Sequence, residues 1–167
     1  MNLRPLLPSD EREAIAAHHE LASDDFEFLL EYAEGMNWIE YLKILENEHL
    51  NHDLPTGRVQ ATFLVAEIDG VIVGRTSIRH SLNDFLFNYA GHIGYGVRPK
   101  FRRQGVATKI LKQSLEIICA VGVSEILMTC DDDNLGSATV IESQGGRLEN
   151  RIDFDGVLKR RYWISLQ

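Results

Sequence analysis

The stretch Val97–Lys112, VRPKFRRQGVATKILK, decides how this chain of 167 residues is interpreted. Residues 98–112 contain six of the 17 basic residues of the chain and no acidic residue. Random placement would put about 1.5 basic and about 2.2 acidic residues in such a window. The chain as a whole has a net charge of −8, so this local reversal of charge indicates an anionic ligand.

The pattern around this stretch predicts a strand, a loop and a helix. A strand ends at Val97, Pro99 breaks it, and an amphipathic helix begins near Gly105. The first turn of a helix leaves backbone N–H groups without partners and carries partial positive charge. Because Gly105 and Ala107 have little or no side chain, an anion can approach these N–H groups closely. The residues predict a phosphate site; the alternative is a helix N-terminus with a solvated basic face.

The rest of the sequence predicts one α/β (α+β) domain over residues 1–167. Its central sheet is mixed but mostly antiparallel, with about six to seven strands and about four flanking helices. Strands are expected near 3–6, 59–68, 71–81, 89–97, 125–130, 148–154 and 157–166, and helices near 10–22, 37–50, 105–121 and 134–143. Asp69–Gly70 and Asp155–Gly156 are hairpin turn signals. The last hairpin, Leu148–Leu166, offers strand edges that allow a homodimer.

The charge distribution restricts the possible partners. Residues 1–57 hold 13 acidic and 3 basic side chains, which argues against a nucleic acid because phosphate contacts need clustered Lys and Arg. This acidic third favours a cationic acceptor or a basic partner surface, with solvated helix faces as the alternative. No apolar run approaches the roughly 20 residues of a membrane span. With two cysteines and no secretory signal, we expect a cytoplasmic protein.

Two blocks resemble the GNAT acetyltransferase superfamily. The segment V-R-P-x-x-R-R-Q-G-V-A resembles its acyl-CoA-binding signature, Arg/Gln-x-x-Gly-x-Gly/Ala, which falls on Arg102, Gly105 and Ala107. The stretch from Asn134 to Gly146 resembles the family's Asn-x-x-(Ser/Ala)…Glu-x-x-Gly block. The resemblance implies that acetyl-CoA is held by the strand, the loop and the second block, through Tyr95, Val97, Arg102, Arg103, Gln104, Gly105, Ala107, Thr108 and Asn134.

The resemblance covers residues 58–166 and implies an activity as well as a fold. It implies an acetyl-CoA-dependent N-acetyltransferase that acts on a primary amine of a small molecule, a protein or a peptide, by direct attack in a ternary complex. Residues 58–166 would then form the acyl-CoA-binding core, and the helices within 1–57 would lie on the acceptor side. No metal is expected.

The sequence departs from the family at the proton donor. Many members carry a tyrosine directly before the glutamate of the second block, whereas Ile141 precedes Glu142 here. Candidates for a replacement donor are Ser137, Tyr95, Tyr162 and an ordered water. The departure also leaves open a second interpretation, a non-catalytic acyl-CoA-binding regulatory module.

His92 is the candidate for a general base. It precedes the loop in the expected strand, and an ordinary histidine pKa of about 6.5 suits proton relay. Gly94 and Gly96 share its face of that strand and leave room for a substrate. A structural histidine is the alternative.

Overall fold

Seven β-strands and four α-helices make up most of residues 1–166, the part of the chain that this computed structural model describes. This confirms the expected α/β class. The strands are β1 (Asn2–Arg4), β2 (Ala61–Ile68), β3 (Val71–Arg79), β4 (Ile93–Val97), β5 (Glu125–Asp131), β6 (Arg147–Phe154) and β7 (Val157–Ser165). The helices are α1 (Glu11–Ala22), α2 (Trp38–Leu50), α3 (Val106–Ala120) and α4 (Leu135–Ser143).

The strands form two antiparallel sheets, where the sequence predicted one central sheet. Their orders are β1-β2-β3-β4 and β5-β7-β6. Both hairpin turns lie where the sequence placed them, since Ile68 pairs with Val71 and Phe154 pairs with Val157. β6 is the outer strand of its sheet, and it belongs to the hairpin whose edges were expected to allow a homodimer.

The two sheets meet at one end of β4 and β5 and part at the other. The His92 N–H donates to the Leu127 carbonyl at 2.8 Å, and the Leu127 N–H donates to the His92 imidazole at 2.9 Å. Beyond this junction β4 pairs only with β3, and β5 pairs only with β7. The strand expected from residue 89 begins only at Ile93, because Leu86–Ala90 form a π-helical turn. A cleft therefore opens between the C-terminal ends of β4 and β5.

Helices cover the sheets on both faces. α3 packs against β3 and β4, and it buries Ile110, Leu111 and Ile118 completely. α1 and α2 cover the other face, where Tyr41 is almost completely buried. Each such side chain contributes about 1.5–3 kcal/mol to folding. No helix within residues 1–166 is both long enough and apolar enough to cross a membrane.

Ion pairs attach the acidic N-terminal third to the basic loop. Arg98 contacts Glu20 at 2.6 Å and Glu13 at 3.2 Å, and Arg102 contacts Asp24 at 2.5 Å. Glu13, Glu20 and Asp24 thus face arginines of the core. These three carboxylates belong to the acidic third that favoured a cationic acceptor, but they form ion pairs within the protein.

Candidate functional site

A cavity of about 570 Å³ lies between the N-terminus of α3, the free edge of β4 and the first turns of α4. Its volume falls within the roughly 300–1,000 Å³ of typical ligand pockets. Eight of the nine residues expected to hold acetyl-CoA line it: Tyr95, Val97, Arg102, Arg103, Gly105, Ala107, Thr108 and Asn134. The fold thus brings both motif blocks to one cavity.

The loop before α3 provides an anion site. α3 begins at Val106, and its first backbone hydrogen bond runs from the Lys109 N–H to the Gly105 carbonyl at 3.1 Å. The N–H groups of residues 106–108 therefore have no acceptor within the helix. Gly105 adopts a φ of 74°, a conformation that costs other residues roughly 1–2 kcal/mol. A glycine at this position lets the chain turn into the helix without a side chain beside those N–H groups.

The three polar side chains before Gly105 have different roles. Arg102 stabilises the conformation of the loop, because its Nε donates to the Val97 carbonyl at 3.0 Å and its Nη2 contacts Asp24. Gln104 does not line the cavity; its side chain donates to the Lys100 carbonyl at 3.1 Å. Arg103 lines the cavity, and within residues 1–166 no carboxylate lies at ion-pair distance from it. Arg103 is thus the guanidinium available to a phosphate group.

The edge of β4 that faces the cleft carries unpaired backbone groups. At one end of β4 the Arg79 N–H donates to the His92 carbonyl, and at the other the Arg98 N–H donates to the Val73 carbonyl. Antiparallel pairing alternates along a strand, so the N–H groups of Tyr95 and Val97 point away from β3. They face the side on which β5 has diverged. A ligand in the cleft can pair with them as a neighbouring strand would.

A hydrogen-bonded pair of hydroxyl groups lies in the same cavity. The Tyr95 hydroxyl lies 3.1 Å from Ser137 Oγ, and both residues line the cavity. Asn134 caps α4 by accepting the Ser137 N–H at 3.0 Å, which fixes the first turn that carries Ser137. Burial raises the pKa of Tyr95 to about 12, so its hydroxyl stays protonated at neutral pH.

His92 does not occupy the position that the sequence suggested for a base. It precedes β4, is buried, and is not among the residues that line the cavity. Its Nδ1 accepts the Leu127 N–H at the junction of the two sheets. Burial lowers its pKa to about 4, so the imidazole is neutral at pH 7. His92 therefore joins the two sheets. The prediction that it lies beside a substrate was wrong.

The other features of the second block belong to the core. Ile141, which replaces the family's tyrosine, is fully buried in the cluster that α3 and β5 share. The Tyr162 hydroxyl donates to Glu142 Oε1 at 3.0 Å, and Tyr162 does not line the cavity.

In the described part of the chain, no group of three His, Cys, Asp or Glu side chains is arranged to hold a metal ion.

Sequence reasoning missed the contribution of the N-terminal third to this cavity. Leu21, Asp24 and Phe26 line it, although they precede the loop by about 80 residues. The Phe26 ring lies 4.4 Å from the Arg75 guanidinium carbon, which fixes it against β3. Residues 20–27 are acidic and residues 98–103 are basic. This opposite charge could have indicated that Asp24 lies near the loop. From the sequence, the aromatic pair Phe26 and Phe28 was a candidate for lining an acceptor pocket, with core packing as the alternative.

Comparison with known proteins agrees with this architecture. The model of the acetyltransferase (GNAT) family matches residues 15–145. RimJ from Mycobacterium smegmatis, solved with CoA-disulfide, is 24% identical, with a TM-score of 0.70 over 98% of this chain and 80% of that one. A ribosomal-protein-alanine N-acetyltransferase from Brucella melitensis is 17% identical, with a TM-score of 0.70 over 99% of this chain and 100% of the other.

A third solved structure shares the fold. The microcin C7 self-immunity acetyltransferase MccE, in complex with acetyl-CoA and AMP, is 17% identical, with a TM-score of 0.70 over 98% of this chain and 91% of that one. At these identities the structural likeness shows the fold alone. The family model covers most of the sequence, however, and the chain belongs to the GNAT acetyltransferase family.

Proposed function

We propose that this protein is an acetyl-CoA-dependent N-acetyltransferase that acetylates a primary amine of a small molecule, a protein or a peptide by direct attack in a ternary complex. One observation carries the proposal: a single cavity combines an anion-binding loop, a free strand edge and a protonated hydroxyl pair. Acetyl-CoA complexes of a structural neighbour support acetyl-CoA as the cosubstrate.

The residues of the cavity fit the parts of acetyl-CoA. The N–H groups of residues 106–108, with Arg103 beside them, suit the pyrophosphate. The amide-containing pantetheine arm suits the free N–H group of Val97, the one nearer to that loop, and leaves the N–H group of Tyr95 for the thioester. Phe26 and Val140 supply apolar walls. In this placement the thioester lies near Tyr95.

Acetyl-CoA supplies an activated acetyl group, and the protein polarises it and stabilises the thiolate that leaves. A backbone N–H of β4 that points into the cleft can donate to the thioester carbonyl. The Tyr95 hydroxyl, bonded to Ser137, can donate to the sulfur. A thiol has a pKa of about 8.5, well below that of Tyr95, so Tyr95 stabilises the thiolate by a hydrogen bond and keeps its own proton. The proton that the attacking amine loses completes the thiol.

This arrangement replaces the absent tyrosine of the second block. Ile141 cannot donate a hydrogen bond to the thiolate, but the Tyr95 hydroxyl comes from β4 on the opposite wall and meets α4 at Ser137. We therefore assign to Tyr95 the role of hydrogen-bond donor to the thiolate, and to Ser137 a positioning role. His92 has no part in this mechanism, because its ring is engaged at the sheet junction.

The experiment that tests the proposal is a thiol-release assay with acetyl-CoA and a panel of amines. The panel contains amino acids, their amides, polyamines and peptides, and each rate is corrected for hydrolysis without acceptor. Turnover with an amine, with the acetylated product identified by mass spectrometry, confirms the proposal. Tight binding of acetyl-CoA without turnover on any amine would favour the non-catalytic regulatory module instead.

A further inference from the structure

A second cavity of about 190 Å³ lies on the other face of the β2–β3 sheet. Ser77 and Arg79 of β3 line it, whereas the alternate residue Thr76 points to α3 and accepts from Ser114 Oγ at 3.0 Å. Glu48 of α2 and Arg58 lie on its other wall. The cavity therefore belongs to the face that α2 covers, on the side where the acceptor was expected.

Arg79 brings to this cavity a positive charge that Glu48 attracts only from beyond ion-pair distance. Its Nη1 donates to the carbonyls of Gly91 at 3.1 Å and Ala90 at 3.4 Å, which are neutral acceptors. Within the described residues no carboxylate lies at ion-pair distance from its guanidinium. The contrast is Arg58, which contacts Glu48 at 2.6 Å. Partly buried cations are normally paired, so Arg79 is suited to an anion that comes with a ligand.

The neighbouring residue on the same face strengthens this inference. Arg75 is buried, and its three hydrogen bonds also go to carbonyls, those of Glu27, Phe28 and Gly94. Arg75 and Arg79 repel each other, and neither has an ion-pair partner among residues 1–166. A carboxylate in the cavity would lower the energy of both charges.

The cavity is lined by β3, the strand that pairs with β4, on which transfer is proposed to occur. Ser77 pairs with Gly94, the residue that precedes Tyr95. The guanidinium of Arg79 lies against β4, because a Cβ atom added at Gly94 would be 3.6 Å from Arg79 Nη2, an ordinary van der Waals contact. A group bound by Arg79 is thus held beside the residue next to Tyr95.

We propose that this cavity binds the acceptor, and that the acceptor is a small primary amine with a carboxylate on the same or the neighbouring carbon, held by Arg79. This inference rests on the proposed function. A guanidinium binds a carboxylate through two parallel hydrogen bonds. The volume of about 190 Å³ suits a small molecule such as an amino acid. Leu30, Val59 and Leu86 would contact a short apolar side chain.

This acceptor differs from the cationic one that the acidic N-terminal third favoured. Glu48 is the carboxylate that lines the cavity, and it already contacts Arg58. Arg79 remains as the charge that a ligand can neutralise. The two hypotheses therefore predict opposite preferences between amino acids and polyamines.

The test compares amino acids with their amides, which lack the charge at the carboxyl carbon. Rates are expressed per concentration of neutral amine, because the α-amines of an acid and its amide differ in pKa. We expect kcat/KM for the best amino acid to exceed that for its amide by about 10-fold or more. Arg79→Gln should abolish this ratio and leave the acetyl-CoA dissociation constant unchanged, and Arg79→Lys should restore part of it. Arg161→Gln is the control for the loss of a buried arginine, because Arg161 donates to the Phe87 carbonyl and lines neither cavity, although it also contacts Glu149 at 2.8 Å.

Arg79→Gln also removes the hydrogen bonds to Ala90 and Gly91 and can loosen that loop. The ratio of kcat/KM for the acid to kcat/KM for the amide remains informative, because both substrates are measured with the same variant. Equal rates for acid and amide in the wild type, a preference for polyamines, or an unchanged ratio in Arg79→Gln would overturn the inference. If no amine supports turnover, titration of the amino acid and of its amide into the CoA-bound protein still tests whether the cavity binds a carboxylate. Binding of the acid alone would uphold this site while the proposed transfer fails, and equal or no binding would overturn both.

Discussion

Replacing Tyr95 by phenylalanine removes one hydroxyl and keeps the ring that packs beside α3. The lost group is the one that lies 3.1 Å from Ser137 Oγ in the larger cavity. In the proposed mechanism this hydroxyl stabilises the leaving thiolate, an interaction that strengthens as the reaction proceeds. The substitution should therefore reduce kcat far more than it weakens acetyl-CoA binding.

The size of each effect follows from the surroundings of the hydroxyl. One intramolecular hydrogen bond contributes about 0.5–1.5 kcal/mol to stability, which corresponds to a Tm lower by roughly 1–6 °C in a domain of this size. Loss of one preorganised donor to a developing negative charge costs about 10²–10³ in kcat, or about 2.7–4 kcal/mol. The substitution should therefore raise the activation free energy of transfer by more than it lowers the free energy of unfolding.

The assay is thiol release at saturating amine, with Tm and acetyl-CoA affinity measured on the same samples. Tyr162→Phe is the matched control: its hydroxyl makes a 3.0 Å hydrogen bond to Glu142 and lies outside the cavity. It should lower Tm by a similar amount and leave kcat unchanged. Wild-type kcat in Tyr95→Phe, or an equal loss of kcat in Tyr162→Phe, would refute the assignment.

Two further predictions concern the loop and the sheet junction. Arg103→Ala should weaken acetyl-CoA binding about 10-fold, and the loss should be smaller at high salt. Gln104→Ala should change binding little, because the Gln104 side chain donates to the Lys100 carbonyl and does not line the cavity. Calorimetry at two salt concentrations measures both effects. His92 has a folded-state pKa of about 4 and an unfolded value near 6.5, so its contribution to stability is complete above about pH 6.5 and lost as the pH falls toward 4. The urea midpoint of the wild type should therefore decrease more than that of His92→Gln between about pH 7 and pH 5, and equal slopes would contradict this.

Local patterns predicted the features that depend on neighbours in the sequence. The turn at Asp69–Gly70 and the start of α3 after Gly105 follow from residue types within a few positions of each other. The charge of the loop and its position between strand and helix likewise indicated the cavity. The family resemblance added Asn134, which caps the helix that follows β5.

The features that the sequence did not reveal depend on contacts between distant residues. Tyr95 and Ser137 are 42 positions apart, and nothing near either predicts their hydrogen bond. The cleft exists because His92 and Leu127 join two strands at one end only. Alternation suggested that His92 faced a substrate, but it could not show that a strand of the second sheet covers this ring. Arg79 gave no signal, because a lone arginine in a strand shows neither its burial nor its partners.

Binding of acetyl-CoA is the central claim, and a thermal-shift titration with adenosine as the control tests it most directly. Adenosine lacks the pyrophosphate that the loop at residues 103–108 is proposed to hold. At acetyl-CoA near 100 times its dissociation constant, the account predicts about 2.7 kcal/mol of stabilisation, a rise in Tm of roughly 5–10 °C. Adenosine should give no comparable rise, and Arg103→Ala should need more acetyl-CoA for the same shift. No shift at millimolar acetyl-CoA, or an equal shift with adenosine, would contradict the account.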